Sequence, residues 1–331
     1  MRRREFLGVL GGATAWSFAA QAQQSSKIPL VGVLWHGSKE KELANPWHQN
    51  VRDDFASFGY IADKTIRYEE RFPDERQNLY DQFASELVAA GADMLLCLDL
   101  PGVLALKKAT SRIPIVFLGL NDSSALSSGL VQSLARPGGN ATGLVGPARD
   151  MYSKAVEIFK QLIPGVSRLA LLVNPDIPAQ VALQTDFYAT AATANGIQLE
   201  VFEARDKHTI DETFPKIVQA KCDGVVIANQ GSFYLLRDEL SEAALFNRLP
   251  TMGPSDVFVP SGILVSYSPV LRQRIVGLVT YAVRILRGEK PSDLPVEFPT
   301  KFELVFNLKT AAALNLTVPP LVLTAADRVI E

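Results

Sequence analysis

Polar and aromatic residues follow short apolar runs all along this 331-residue chain, and they are the side chains that could hold a ligand. Trp35, His36 and Gly37 come after Leu30–Leu34. The indole offers a stacking platform or packs under the 40–45 loop; the imidazole offers a donor to an anion or is a solvated loop histidine. Asp99-Leu100-Pro101-Gly102 opens a helix, where the N–H groups of Gly102 and Val103 can hold an anion and Asp99 can serve as the cap. Asp122, in Asn121-Asp122-Ser123, can pair with an ammonium or accept from a hydroxyl, and the triplet is equally a turn and cap. Asn174 ends another apolar run. Asn229-Gln230-Gly231-Ser232-Phe233 sets amide donors and acceptors beside an aromatic, with Ser232 a cap in the alternative reading. Asp256 follows Gly253-Pro254-Ser255, again as a cap or a cleft acid. Tyr267 has both ring and hydroxyl to offer.

This chemistry is that of binding rather than bond-making. No G-x-S-x-G, P-loop or H-E-x-x-H pattern occurs, so no catalytic residue is assigned and no enzyme is expected. Two cysteines, Cys97 and Cys222, and three histidines show no metal-ligand spacing, so neither a metal nor a cofactor is expected. The cysteines read as separate core thiols. A formal charge of −2, becoming −4 once Arg2, Arg3, Arg4 and Glu5 (net +2) are removed, gives no electrostatic footprint for nucleic acid.

The elements that must position these residues alternate. Strands are expected at Leu30–Leu34, Ile66–Glu70, Met94–Leu98 and Ile115–Leu118, with helices at Trp47–Phe58, Arg76–Ala90 and Gly102–Thr110. After Val145 the alternation restarts. Helices are expected at Met151–Leu162, Ala179–Asn195, Ile210–Ala220 and Tyr234–Asn247, and strands at Leu169–Val173, Leu199–Glu203, Val225–Ala228 and near Thr251. Ile263–Tyr267 reads as a strand, Leu271–Arg287 as an amphipathic helix, and Leu294–Asn307 as extended. Such alternation predicts parallel sheets covered on both faces, with ligands bound past the carboxyl ends of the strands. The composition, 47% hydrophobic and 21% charged, suits two lobes with a core each.

Residues 1–22 read as an export signal. Arg3-Arg4-Glu5-Phe6-Leu7 has the twin-arginine pattern, a modest apolar run follows, and Ala20-Gln21-Ala22 suits cleavage. A periplasmic location is expected.

The order IPIVF…ND…GLVQSLARPGGNATGLV in Ile113–Val145 resembles the ABC-transporter substrate-binding proteins whose relatives include tryptophan- and tyrosine-binding proteins. FASFGY at 55–60, Ile66–Tyr68 before Glu69, FASELVAAGAD at 83–93, LIPGVSRLALLVNP at 162–175 and GEKPSDLPVEFPTKFELVFNLKTAAALNL at 288–316 extend the likeness. The resemblance implies an α/β, type I periplasmic-binding-protein fold: two Rossmann-like lobes joined by a three-strand hinge. The implied crossings lie near Val145, Gly262 and Pro291, giving lobes of 29–145 with 262–290 and of 146–261 with 291–331. It implies a receptor that closes on a small molecule, an amino acid or aromatic or apolar carboxylate, and delivers it to an ABC permease in the inner membrane. A monomer without nucleic-acid partners is expected. An exported enzyme and a ligand sensor on the same lobes are the alternatives. Relatives have a small residue and then Ser or Thr where this chain has Asp99 and Leu100, so the usual hydroxyl for a ligand carboxylate is missing. Asp122 falls on a common acid of the family, and Tyr267 on its Ser-Tyr pair.

Overall fold

The computed structural model describes residues 27–331 except 75, 121 and 177; the side chains at 120, 122, 123 and 179 are not described. The expected export signal therefore lies outside the described residues. Among those described, no helix is long and apolar enough to cross a membrane.

The first half builds one parallel sheet from β1 (Leu30–Leu34), β2 (Arg67–Arg71), β3 (Met94–Cys97), β4 (Ile115–Leu120) and β5 (Ala141–Val145). Its order is β2-β1-β3-β4-β5, with every pair parallel. All five residues of β1 and all four of β3 are buried, as central strands covered on both faces must be. The covering helices are α1 (Lys39–Ala44), α2 (Pro46–Ser57), α3 (Gln77–Ala89), α4 (Leu100–Ala109) and the short α5 (Asp122–Ser127). Asn45 starts α2 by accepting the Trp47 N–H at 3.2 Å, with Pro46 in the first turn.

The second half carries α6 (Arg149–Leu162), β6 (Arg168–Val173), α7 (Pro178–Ala194), β7 (Gln198–Glu203), α8 (Lys207–Gln219), β8 (Gly224–Ile227), α9 (Gly231–Leu235), α10 (Arg237–Phe246) and β9 (Thr251–Gly253). After these come β10 (Val265–Pro269), α11 (Leu271–Leu286), β11 (Phe302–Asn307), α12 (Leu308–Ala313), α13 (Pro320–Ala325) and β12 (Arg328–Ile330). The second sheet runs β12-β11-β10-β9-β8-β6-β7 and is parallel except between β10 and β11.

The tail places the crossings. β10 pairs with β9 and β11, so the chain stays in the second sheet through Pro269 and does not leave it near Gly262. It enters the first lobe at Leu271, and α11 buries Leu271, Ile275, Leu278 and Val279 in the cluster that also holds Val31, Val33 and Phe55. Arg272 clamps α11 to α2 through two hydrogen bonds to Asp54, at 2.6 and 2.5 Å. The chain is still in that lobe past Pro291: Leu294 and Val296 are buried there, the Thr142 hydroxyl donates to the Leu294 carbonyl, and Leu144 bridges Glu297. Strand ladders decide both displacements, because leaving them earlier would strand buried backbone groups. Between the lobes, the segment before Phe302 touches the other two: the Val145 N–H donates to the Glu297 carbonyl at 3.0 Å and the Val270 N–H to the Lys301 carbonyl at 3.1 Å.

Candidate ligand-binding cleft

The strand ends of the two sheets face each other across a cleft of about 870 Å³ counting its open mouth. The first lobe contributes Trp35 and His36 after β1, Glu42 and Asn45 around α1, Trp47 from α2, Leu98 to Pro101 after β3, and Gly119 from β4. The second contributes Gln180 from α7 and Asn229, Gly231, Tyr234 and Leu235 from the β8–α9 turn. Leu271 and Arg274 of α11 close the floor. A narrower inner chamber shares Asn229, Tyr234, Leu271 and Arg274 with this cleft and is lined further by Tyr152, Tyr188, Ser255 and Tyr267.

Gly119 lies at φ +94°, and a Cβ there would stand 2.6 Å from the Leu98 carbonyl oxygen; no side chain fits at that point of the wall.

Trp35 is 4% exposed. Its Nε1 donates to Glu70 Oε1 at 2.9 Å and its ring stacks on Phe72, so most of the indole is core and only an edge is wall. Trp47 and Tyr234 are the better platforms. They come from opposite lobes, are half-buried, and meet edge to face with centroids 5.0 Å apart.

His36 Nδ1 lies 2.9 Å from Asp99 Oδ2 and 3.0 Å from the Tyr80 hydroxyl. Asp99 also accepts from Tyr80 at 2.7 Å, from the Gly102 N–H at 3.0 Å and from the Cys97 thiol at 3.2 Å. Its carboxylate is thus spent inside the lobe, as the cap of α4 and the anchor of His36. Burial, reinforced by the Asp99 charge, pushes the Cys97 thiol far up and keeps it unreactive. Glu42 is buried, with Oε1 accepting the Gly37 N–H at 2.8 Å, and that burial raises its carboxyl above the ordinary range.

Trp35, His36, Leu100 and Asn229 line the cleft, and Tyr267 lines the inner chamber, stacked on Phe302 at 5.8 Å. Asp122 begins α5, but its side chain is not among those described. The other expected cleft residues sit elsewhere. Gly102 is behind the wall, its N–H bound to Asp99 rather than open to an anion. Asn174 and Gln230 are a buried reciprocal pair: each backbone group of Asn174 meets the Gln230 amide at 2.7 Å, locking the ends of β6 and β8 together. Phe233 is wholly buried in the second lobe's core, because α9 turns it inward while Tyr234 points out. Asp256 lies on a separate lateral groove, paired with Arg328 at 3.3 Å.

Glu42, Trp47, Gln180, Tyr234 and Arg274 are cleft residues that strand-end reasoning missed. Arg274 had a signal: it falls on the Leu271–Ile275–Leu278 stripe that the helix must bury. It is 8% exposed, donates from Nη2 to the Val145 carbonyl at 3.3 Å, and its Nε has no partner among the described residues. Burial lowers its pKa, while Tyr234 and Tyr152 nearby act in the opposite sense.

Residues 47–330 match the model of the family described as ABC transporter substrate binding protein. The tyrosine-binding protein of Clostridioides difficile (strain R20291) is 24% identical over 235 residues, 70% of this chain and just under two thirds, 66%, of that relative. The L-Trp complex of an ABC domain from Streptococcus pneumoniae superposes with a TM-score of 0.80 at 24% identity, covering 91% of this chain and 99% of the other. A conserved domain protein from Vibrio cholerae gives 0.81 at 26%, covering 92% and 100%. The architecture is the two-lobed type I periplasmic-binding fold, and the chain belongs to the ABC transporter substrate-binding protein family.

Proposed function

We propose that this protein is the periplasmic receptor of an ABC importer. It closes its lobes on an amino acid or a small carboxylate with an aromatic or bulky apolar body, and presents it to an inner-membrane permease. One observation carries the reading: Trp47 and Tyr234 come from opposite lobes, meet edge to face and wall the same cleft, so an apolar or aromatic ligand lying against that pair would touch both lobes. The tyrosine- and tryptophan-binding proteins among the similar chains support the same class. Export through the twin-arginine segment, a monomeric receptor and lobes divided at the three crossings complete the proposal.

The role is non-catalytic. The acid–imidazole pair on the wall, His36–Asp99, is tied to Tyr80, Cys97 and Gly102, which suits a fixed wall better than a proton shuttle. Mass spectrometry of small molecules co-purifying with the protein, followed by a melting panel, tests the reading. Aromatic amino acids and aromatic acids should raise the melting temperature, by roughly 2.7 kcal/mol of stabilisation at about a hundred times Kd. Shifts confined to sugars or polyamines would sink the ligand class, and chemical alteration of the ligand would sink the receptor role.

A further inference from the structure

Arg274 is a buried cation without an anion. No aspartate or glutamate lies within ion-pairing distance of it among the described residues, although the fold pairs Arg52, Arg71, Arg272 and Arg284 with carboxylates. Its one hydrogen bond among the described residues, to the Val145 carbonyl, occupies a single donor of five. Nε is buried and unpartnered. Leaving a desolvated guanidinium in this state costs several kcal/mol, far more than an ordinary packing defect. A helix stripe that otherwise buries Leu271, Ile275 and Leu278 would be more stable with an apolar residue there.

The location says what the cation is for. Arg274 borders both the outer cleft and the inner chamber, at the junction where Asn229 and Tyr234 meet it from the second lobe. We infer that Arg274 is the anion anchor of the site, taking the ligand's carboxylate in a fork through its Nε edge. This rests on the proposed ligand class and names the residue that reads it. An arginine fork matches the plane and spacing of a carboxylate. A doubly charged phosphate fits poorly, since among the described residues no other Lys or Arg lines either chamber and Glu42 lines the same cleft. Leu100 on the same cleft has no side-chain donor to give. A carboxylate at Arg274 lies beside the Val145 crossing and against the second lobe's Tyr234, so binding it favours the closed arrangement. Burial already lowers the pKa of Arg274, and a carboxylate partner would reverse that.

The test compares acids with their amides in wild type, Arg274→Met and Arg274→Lys, by calorimetry and melting. The probes are L-tryptophan, L-tyrosine, indole-3-acetate and phenylacetate, with leucine and lactate as non-aromatic carboxylates, each against its carboxamide. Wild type should prefer acid to amide by about thirty-fold or more, the loss typical of a broken buried charge pair. R274M should bring acid and amide within a few-fold of each other, while its ligand-free melting temperature stays level or rises. R274K should keep part of the preference, and it carries the test should R274M fail to fold. Equal acid and amide binding in wild type, or an undiminished preference in R274M, overturns the anchor while leaving an aromatic site intact. Acid preference shown only for leucine or lactate, and lost in R274M, supports the anchor and overturns the aromatic class. No binding of any carboxylate overturns both.

Discussion

The imidazole of His36 in the first lobe lies directly against Gly231 in the second: a Cβ on Gly231 would stand 2.9 Å from Cδ2 of the ring and 3.1 Å from Nε2. His36 cannot yield easily, because Asp99 and Tyr80 hold it from behind. Gly37 repeats the arrangement, where a Cβ would stand 2.6 Å from Leu235 Cδ1. The lobes meet through glycines at the mouth of the cleft.

Gly231→Val should therefore oppose closure while leaving each lobe folded. Overpacking of about 1–3 kcal/mol confined to the closed state would weaken ligand binding by about five- to 150-fold. Calorimetry with the ligand recovered from the protein reads the affinity, and X-ray scattering reads the lost compaction. Unchanged affinity in G231V would mean the two lobes need not approach this closely to bind.

The two tryptophans should separate stability from binding. Trp35 is core, with its N–H on Glu70 and its ring between Phe72 and His48. Trp35→Ala should cost about 3–5 kcal/mol of stability, seen in chemical denaturation. Trp47 is half-buried and turned to Tyr234, so Trp47→Ala should change folding by much less and weaken an aromatic ligand by about five- to tenfold through lost ring contact. The opposite ranking would place the ligand platform at Trp35.

These cases show what the sequence carries. Leu30–Leu34 and Met94–Cys97 were legible as strands because every residue is apolar and central, and the loops after them duly reach the cleft. The same rule failed where a side chain's direction mattered: Gln230 and Phe233 turn into the lobe while Asn229 and Tyr234, their neighbours, turn out. Residues 40–45 read as a loop, yet Lys39–Ala44 is a helix whose one buried side chain is Glu42. Tyr234–Asn247 reads as one helix but breaks at Leu236, which frees Gly231–Leu235 to form its own turn against the first lobe. Arg274 reaches the site on a helix that returns from the other sheet, and local pattern does not report such a return.

The Asn174–Gln230 pair predicts a mutant damaged in stability alone. Gln230→Ala leaves the buried N–H and C=O of Asn174 unpartnered, a loss of about 1–3 kcal/mol per group. Denaturation midpoints should fall, while the acid-over-amide and aromatic preferences of the surviving folded protein stay as in wild type. A changed ligand ranking would return Gln230 to the cleft wall.

Glu42 gives the pH dependence. Burial raises its folded-state pKa above the ordinary 4.5, opposed by the Gly37 hydrogen bond and by the nearby His36, and aided by the Asp99 charge. A group with a raised folded pKa contributes stability that is fully present below the unfolded value and is lost as pH rises through the folded one. As pH rises from acid, the ligand-free protein therefore loses stability to this buried carboxyl. Glu42→Gln keeps an amide oxygen for the Gly37 N–H and cannot ionise. Its ligand-free melting temperature should exceed wild type at neutral pH, and the gain should shrink toward zero as pH falls below 4.5, where wild-type Glu42 is protonated as well. Melting curves of both proteins across that interval decide the matter. A gain that is constant with pH, or grows on acidification, would mean that the Glu42 carboxylate is stabilised in the fold rather than strained by it.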